Sequence, residues 1–384
     1  MNLDFDHMVD RRHTASQKWD TFDEDVLPFT VAEMDFSPPQ PVLQALLERV
    51  DHGMFGYGLE PPGLREVFVE RLESLYDWRI STKALVFLSA INPSFNLACR
   101  AVTSPGDGGL VQTPVYPPIL FAPGNANLAC NEMQLTRQSD GRYTIDFDAF
   151  EAAITDRTRI FVLCNPHNPV GRVFQRDELE RMAEICLRHD IIICSDEIHC
   201  DLVFSGSRHI PIASLDPEVA DRTITLMGPG KGFNIGGLRS SVVVVENAEL
   251  RERLVASRAG LIPGINVMEY IAALAAYRDG QPWLDAVLPY LETNRDYVFE
   301  YVKTHLPGIT MGKPEGTYLA WLDCRRAGIP GDPHEFFLQK ARVALLPGEG
   351  YGRGSEGFVR LNFASPRVLL EKGLGRMKEA LAAL

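Results

Sequence analysis

No Cys-x-x-Cys pair occurs in this chain, and its seven cysteines (99, 130, 164, 186, 194, 200 and 324) are scattered and odd in number. Spacing of this kind implies neither a zinc centre nor a disulfide framework, and it fits a reducing cytoplasm. No uninterrupted apolar run approaches the roughly 20 residues that a bilayer span requires. The opening Met1-Asn2-Leu3-Asp4-Phe5-Asp6 has neither the basic nor the apolar region of a secretion signal. Positive charge is scarce: 38 Lys and Arg against 51 Asp and Glu leave a formal net charge of −13, which argues against a nucleic acid or an anionic membrane as partner. Repeats, low-complexity tracts and long linkers are absent as well. What remains is an ordinary globular composition, 45% hydrophobic and 23% charged over 384 residues, enough for two domains or one large α/β unit with a smaller one appended.

Along the chain, the first thirty-five residues are polar with interspersed aromatics and read as an extended arm. Helical spacing follows over Pro41–Asp51 and about Gly63–Tyr76, separated by the irregular Gly56-Tyr57-Gly58. From Leu85 the rhythm alternates. Apolar runs at Leu85–Leu88, Leu110–Gln112, Ile160–Cys164, Ile191–Cys194, Thr223–Met227 and Val242–Val245 predict buried strands, with helical patterns such as Asp177–His189 between them. Alternation of this kind predicts an α/β fold, a mostly parallel sheet covered by helices on both faces. Long helices are expected at about Ala248–Tyr277 and Pro282–His305. The tail then reads as strand (Thr317–Leu322), helix (Pro333–Ala341), strands (Val343–Leu346, Gly357–Phe363) and helix (Arg367–Ala382), a smaller α+β unit. The expected division is a large domain over 48–285, and a small domain formed by 1–47 with 286–384.

Ligands of open parallel sheets bind beyond the carboxyl ends of the strands, and polar clusters stand at those ends here. Asn165-Pro166-His167-Asn168-Pro169 follows one predicted strand, Ser195-Asp196-Glu197-Ile198-His199 another, and Thr113-Pro114-Val115-Tyr116 a third. After Thr223–Met227 comes Gly228-Pro229-Gly230-Lys231-Gly232-Phe233-Asn234-Ile235-Gly236-Gly237-Leu238-Arg239, a lone lysine among five glycines. A lysine held bare in a pocket has its pKa lowered and its amine freed for a Schiff base. The glycines suggest close approach of the backbone to a ligand, such as a phosphate. An acid, an amide, an aromatic ring and a lysine at one crevice would cradle a flat, phosphorylated, nitrogen-containing ring.

Several segments in order carry a resemblance: Arg12-His13-Thr14 to Lys18-Trp19-Asp20, Val31 to Phe36, Gly56-Tyr57-Gly58, Gln112 to Pro118, Asn165 to Val173, Ser195 to Phe204, Phe233-Asn234-Ile235, Thr317 to Asp323 and Phe358 to Asn362. Together they resemble the pyridoxal-phosphate (PLP) enzymes of fold type I, in the cystathionine β-lyase branch of MalY, PatB and cystalysin. The resemblance implies pyridoxal 5'-phosphate as cofactor, with Lys231 binding it as a Schiff base and then removing the substrate Cα proton. By the same resemblance Asp196 pairs with the pyridine nitrogen, Asn168 bonds the ring's phenolic oxygen with His199 near that edge, and Tyr116 stacks on the ring. Arg360 clamps the substrate α-carboxylate, with Asn168 and Ala32 also at the substrate. Tyr57 reaches the phosphate of a neighbouring subunit, so a homodimer with shared sites is implied.

Two phosphate-cup segments depart from the family pattern. Ala90-Ile91-Asn92-Pro93 stands where Gly-Val-Val-Pro is usual, and Gly230-Lys231-Gly232 where Ser-Lys-Thr is usual. Compensation is expected from the amides of Ile91 and Asn92 at a helix start, from the Asn92 side chain, and from Arg239, which matches the phosphate-binding arginine of classical aminotransferases. The reading is a C–S β-lyase that cleaves L-cystathionine or another S-substituted L-cysteine to thiol, pyruvate and ammonia. An aminotransferase, or a decarboxylating or deaminating pathway enzyme on the same scaffold, is the second reading; a non-enzymatic regulatory relative is the third. No metal is implied.

Overall fold

The computed structural model describes residues 3–384. Seven strands make the central sheet, and six of them were legible as apolar runs. From edge to edge the order is Leu85–Ser89, Ser240–Val244, Thr223–Met227, Ile192–Asp196, Thr158–Cys164, Gly108–Thr113 and Ala129–Gln134. Every pairing from Thr223–Met227 to Ala129–Gln134 is parallel, whereas Ser240–Val244 runs antiparallel to both of its neighbours. The central strands are buried at every position but Arg159, which is why they read as continuous Ile, Val, Leu and Thr runs. The seventh strand, Ala129–Gln134, escaped the sequence reading for the opposite reason. It is an edge strand, mostly open to solvent, and its residues Asn131, Glu132 and Gln134 carry no apolar run.

The helix expected over Ala248–Tyr277 is two helices, Ala248–Ala256 and Val267–Asp279. Gly260 at φ +73° and Pro263 lie in the break, and Asn266 starts the second helix by accepting from the amides of Met268 and Glu269. The expected strand Val343–Leu346 also divides. Val343–Ala344 pairs in parallel with Leu27–Pro28 of the N-terminal arm, whereas Leu346–Pro347 joins Phe358–Asn362 in a three-stranded antiparallel sheet with Leu319–Asp323. The helix expected over Pro333–Ala341 is a short helix, Pro333–Phe336, followed by a wider π-type turn over Phe337–Ala341.

These arrangements position the site. The parallel strands end at Thr113, Cys164, Asp196 and Met227, side by side. The antiparallel strand starts at Ser240 on the same border, so Arg239 arrives there as well. Arg360 lies on the middle strand of the small sheet, and the arm segment Thr30–Phe36 runs between that strand and the lysine turn. No helix among the described residues is long and apolar enough to cross a membrane.

Candidate active site

Lys231 sits in a single helical turn, Pro229–Gly232, that begins immediately beyond a central strand. Its Nζ donates to the carbonyl of Ala32 at 2.6 Å. Burial is the main force lowering its pKa, to about 8; the nearby Arg360 guanidinium adds to this, and the carboxylates of Glu33 and Asp196 oppose it. About a tenth of the amine is therefore uncharged at pH 7, far more than for a solvated lysine.

Asp196 occupies the last position of its strand and is 3% exposed. Its Oδ1 accepts from the Ile198 amide at 3.1 Å. Burial pushes its carboxyl up to about 7 against the pull of that amide and of Lys231, and Glu197 pushes it further. A buried acid in this condition gains from a cationic N–H partner. His199, one turn on, is held neutral by burial and by the charges of Lys231 and Arg360. Its Nδ1 is buried without a partner, and its ring meets Tyr318 edge-on at 5.9 Å.

Arg360 and Asn168 meet directly. The guanidinium donates from Nη1 to Asn168 Oδ1 at 3.0 Å and from Nη2 to the Thr30 carbonyl at 3.0 Å, while Nε is buried and unpartnered. Asn168 precedes a cis proline, as do Asn165 and Thr113. The amide of Tyr116 donates to the Asn168 carbonyl at 3.0 Å, placing the half-buried Tyr116 on the same wall.

The expected anion cup also assembles. The chain turns at Ala90, φ +71°, into the helix Ile91–Val102, whose first amides have no side-chain cap. The Ala90 amide donates to the Arg239 carbonyl at 2.5 Å, so the helix start and Arg239 are neighbours. Asn92 is exposed at that start. Ser240, next to Arg239, has a buried hydroxyl with no partner. The unpartnered atoms of His199, Ser240 and Arg360, with Asp196 and the uncapped amides, fit a polar ring bearing an anionic arm.

Of the residues singled out from sequence, Lys231, Asp196, His199, Asn168, Tyr116, Arg360, Ala32, Ile91, Asn92 and Arg239 lie around this crevice, with Ala32 taking part through its carbonyl. Tyr57 does not. It is fully solvent-exposed, on a loop away from the crevice of its own chain.

The glycines beside the lysine need a corrected explanation. A Cβ on Gly232 would stand 2.7 Å from Asp201 Oδ2, a carboxylate bonded to Arg71 at 2.5 Å. A Cβ on Gly228 would stand 2.6 Å from the Ser240 carbonyl. Both make room for the protein's own packing, not for a ligand.

Four participants escaped the sequence reading. Tyr318 donates to the Ala32 carbonyl at 3.0 Å, beside Lys231. It lies within the quoted Thr317–Asp323 segment but has no chemical signature there. Ser240 lies just ahead of the apolar run Val242–Val245, at the first position of the strand. Glu33 lies in the quoted Val31–Phe36 segment, and its charge acts on Lys231. Glu269 was read as one position of a long helix; it is buried, accepts from Asn266 at 2.5 Å, and has its carboxyl raised to about 7, chiefly by burial, with Arg239 pulling the other way.

Residues 24–376 match the family described as aminotransferase class I and II. The chain is 37% identical over 391 residues to cystathionine beta-lyase PatB of Bacillus subtilis, covering 99% of this chain and all of that one. Among solved structures it superposes on OvoB with a TM-score of 0.95 at 43% identity, with both chains fully covered. It also superposes on PLP-containing cystalysin of Treponema denticola with a TM-score of 0.94 at 32% identity, again with both fully covered. A lysine turn, a strand-end acid and an uncapped helix start on one sheet border, matched end to end in this way, place the chain in the aminotransferase class I and II family, in the branch of the PatB-type β-lyases.

Proposed function

We propose that this protein is a PLP-dependent C–S β-lyase that converts L-cystathionine or another S-substituted L-cysteine to a thiol, pyruvate and ammonia. The observation that carries the reading is the buried, low-pKa Lys231 facing the same crevice as Asp196 and the Asn168–Arg360 pair, in a chain similar to C–S lyases over its whole length. Pyridoxal phosphate, when bound, supplies the electron sink that makes the Cα proton of an amino acid removable.

The chain's own residues do the rest. Lys231 binds the cofactor and then takes the Cα proton at Nζ, and the Ala32 carbonyl is the acceptor that holds the resulting ammonium. Asp196 keeps a proton on the ring nitrogen, and Asn168 and His199 bind the opposite polar edge. Tyr116 covers a ring face. The amides of Ile91 and Asn92, with Arg239, hold the phosphate. Arg360 takes the α-carboxylate through its free Nε and one Nη, a planar two-point grip that lysine does not offer. Tyr57, exposed here, is assigned to the phosphate of a second copy, so the working unit is a homodimer. The two-domain division at 48–285 against 1–47 with 286–384 belongs to the same proposal; it is supported by the pairing of Leu27–Pro28 with Val343–Ala344. So does a cytoplasmic location, which seven free cysteines fit.

The test is incubation with L-cystathionine, L-cystine and S-alkyl-L-cysteines, with pyruvate, ammonia and free thiol measured. Stoichiometric pyruvate and thiol are expected. Amino transfer to a 2-oxo acid without pyruvate would replace this reading with an aminotransferase.

A further inference from the structure

The arm segment Thr30–Phe36 is a strap pinned on both sides. Asn234, three residues after Lys231, donates to the carbonyls of Met34 (3.0 Å) and Phe36 (2.7 Å) and accepts from the Met34 amide (2.9 Å). Asn362, two residues after Arg360, donates to the carbonyls of Val31 (2.6 Å) and Glu33 (2.7 Å). On the inner side the strap presents the Thr30 carbonyl to Arg360 and the Ala32 carbonyl to Lys231 and Tyr318.

Its two carboxylates are treated differently. Asp35 is 4% exposed, and its oxygens are taken up by Lys18, Arg11, Trp19 and Ser365. It is structural. The Glu33 side chain is 32% exposed; one oxygen accepts from Arg11 at 2.5 Å and the other has no partner among the described residues. That carboxylate lines a cavity of about 190 Å³ with Arg11, Asn234, Gly236 and Gly237. The residue before Glu33, Ala32, accepts from Lys231 Nζ at 2.6 Å, and Asn234 and Gly236 of the lining follow the Lys231 turn along the chain, so the cavity lies beside the lysine turn. A carboxylate fixed by backbone bonds on either side, with one oxygen open, is preorganised for a cation and loses little freedom on binding one.

We infer that Glu33 is a specificity-determining residue for the leaving group. Its open oxygen receives a cationic nitrogen on the thiol arm, so S-conjugates of L-cysteine with an ammonium on that arm are preferred over plain S-alkyl cysteines. The inference rests on the lyase reading above. A charge-assisted bond in a half-buried site discriminates by about tenfold or more. Arg11 orients the carboxylate, and the space admits an arm of a few heavy atoms.

The experiment compares wild-type holoenzyme with Glu33→Gln on L-cystathionine, whose leaving arm carries an ammonium, and on S-ethyl-L-cysteine, whose arm is neutral. The amide keeps an acceptor for Arg11, so circular dichroism should match the wild type. The charge of Glu33 acts on Lys231 whichever substrate is bound, so the expected result is a loss in kcat/KM for cystathionine about tenfold or more beyond any change on S-ethyl-L-cysteine, mainly through KM. Equal losses on both substrates would assign Glu33 to lysine electrostatics or structure, and no loss on cystathionine would remove it from recognition; either outcome overturns the inference and leaves the lyase reading standing. A wild type that yields pyruvate from neither substrate overturns the lyase reading, and the inference with it.

Discussion

Lys231 and Asp196 are pushed toward their uncharged forms by the same burial, and that shared stress gives opposite pH signatures. For the lysine, only the free amine captures the cofactor. With a pKa of about 8, about a tenth of the amine is free at pH 7, and the fraction rises about tenfold per unit below that value. The rate at which cofactor-free protein captures pyridoxal phosphate, followed by absorbance, should climb from pH 6 to 8 and level off above; a rate that goes on climbing about tenfold per unit beyond pH 9 would mean that the lysine is not desolvated. Lys231→Ala should lose all turnover and yield no borohydride-trapped adduct, checked by mass spectrometry. Asp196 is an acid whose folded pKa, about 7, lies above its usual 3.8. The folded state therefore binds the proton more tightly than the unfolded one, and stability falls as pH rises from the unfolded pKa through the folded one. Cofactor-free Asp196→Asn should accordingly be more stable than wild type at pH 8, by on the order of 2–4 kcal/mol. The difference should fade as pH drops through 7 toward 5, and cofactor affinity should fall at the same time. Urea titrations at the two pH values check the first part, and a variant destabilised at pH 8 would contradict it.

The turn Gly228–Phe233 holds Lys231 at the end of a strand because its flanking positions carry no side chains. Asp201 fills the space beside Gly232, and its partner Arg71 lies over the rings of Phe233 and Tyr277 at 5.4 and 5.8 Å. Gly232→Ser, which restores a hydroxyl usual in the family, should thus destabilise the protein by about 1–3 kcal/mol through overpacking; chemical denaturation measures it, and an unchanged midpoint would show that Asp201 yields. The same turn marks how far the sequence could be read. Its position after an apolar run was plain, because a strand buried on both faces must be continuously apolar. The purpose of its glycines was not, because Asp201 lies thirty residues away in sequence and approaches only through the fold. Ala129–Gln134 was missed on similar grounds: an edge strand open to water carries no pattern to read. Tyr318, Ser240 and Glu269 have common side chains, and only their neighbours make them part of the site. Residues with rare chemistry beyond strand ends, Lys231, Asp196 and Asn168, were found because parallel topology dictates where such ends converge; Arg360, inside an antiparallel strand of the small sheet, was reached only through the resemblance.

The whole molecule presents a surface that one copy leaves uncovered. Met54, Phe55, Tyr57 and Leu59 on one loop, Leu47 and Val50 on the preceding helix, and Leu261 are all large apolar residues at least 49% exposed. In the homodimer proposed above, these residues would form the contact surface, with Tyr57 offered to the other copy. The loop is built against its own chain at Gly58, where a Cβ would stand 3.0 Å from Val267, so Tyr57 is offered outward from a fixed base. If Tyr57 serves the partner's phosphate cup, two crippled variants should repair one another. Lys231→Ala homodimers lack the base in both sites, and Tyr57→Ala homodimers lack the phosphate contact in both sites. Mixed and allowed to exchange subunits, they form heterodimers in which one site carries both lesions and the other neither. Random exchange makes about a quarter of all sites intact, so activity at limiting cofactor should recover to about that share of wild type. Were Tyr57 to act within its own chain, no mixed dimer would contain an intact site gained by exchange beyond those already in wild-type chains, of which there are none, and the mixture would only average the two parents.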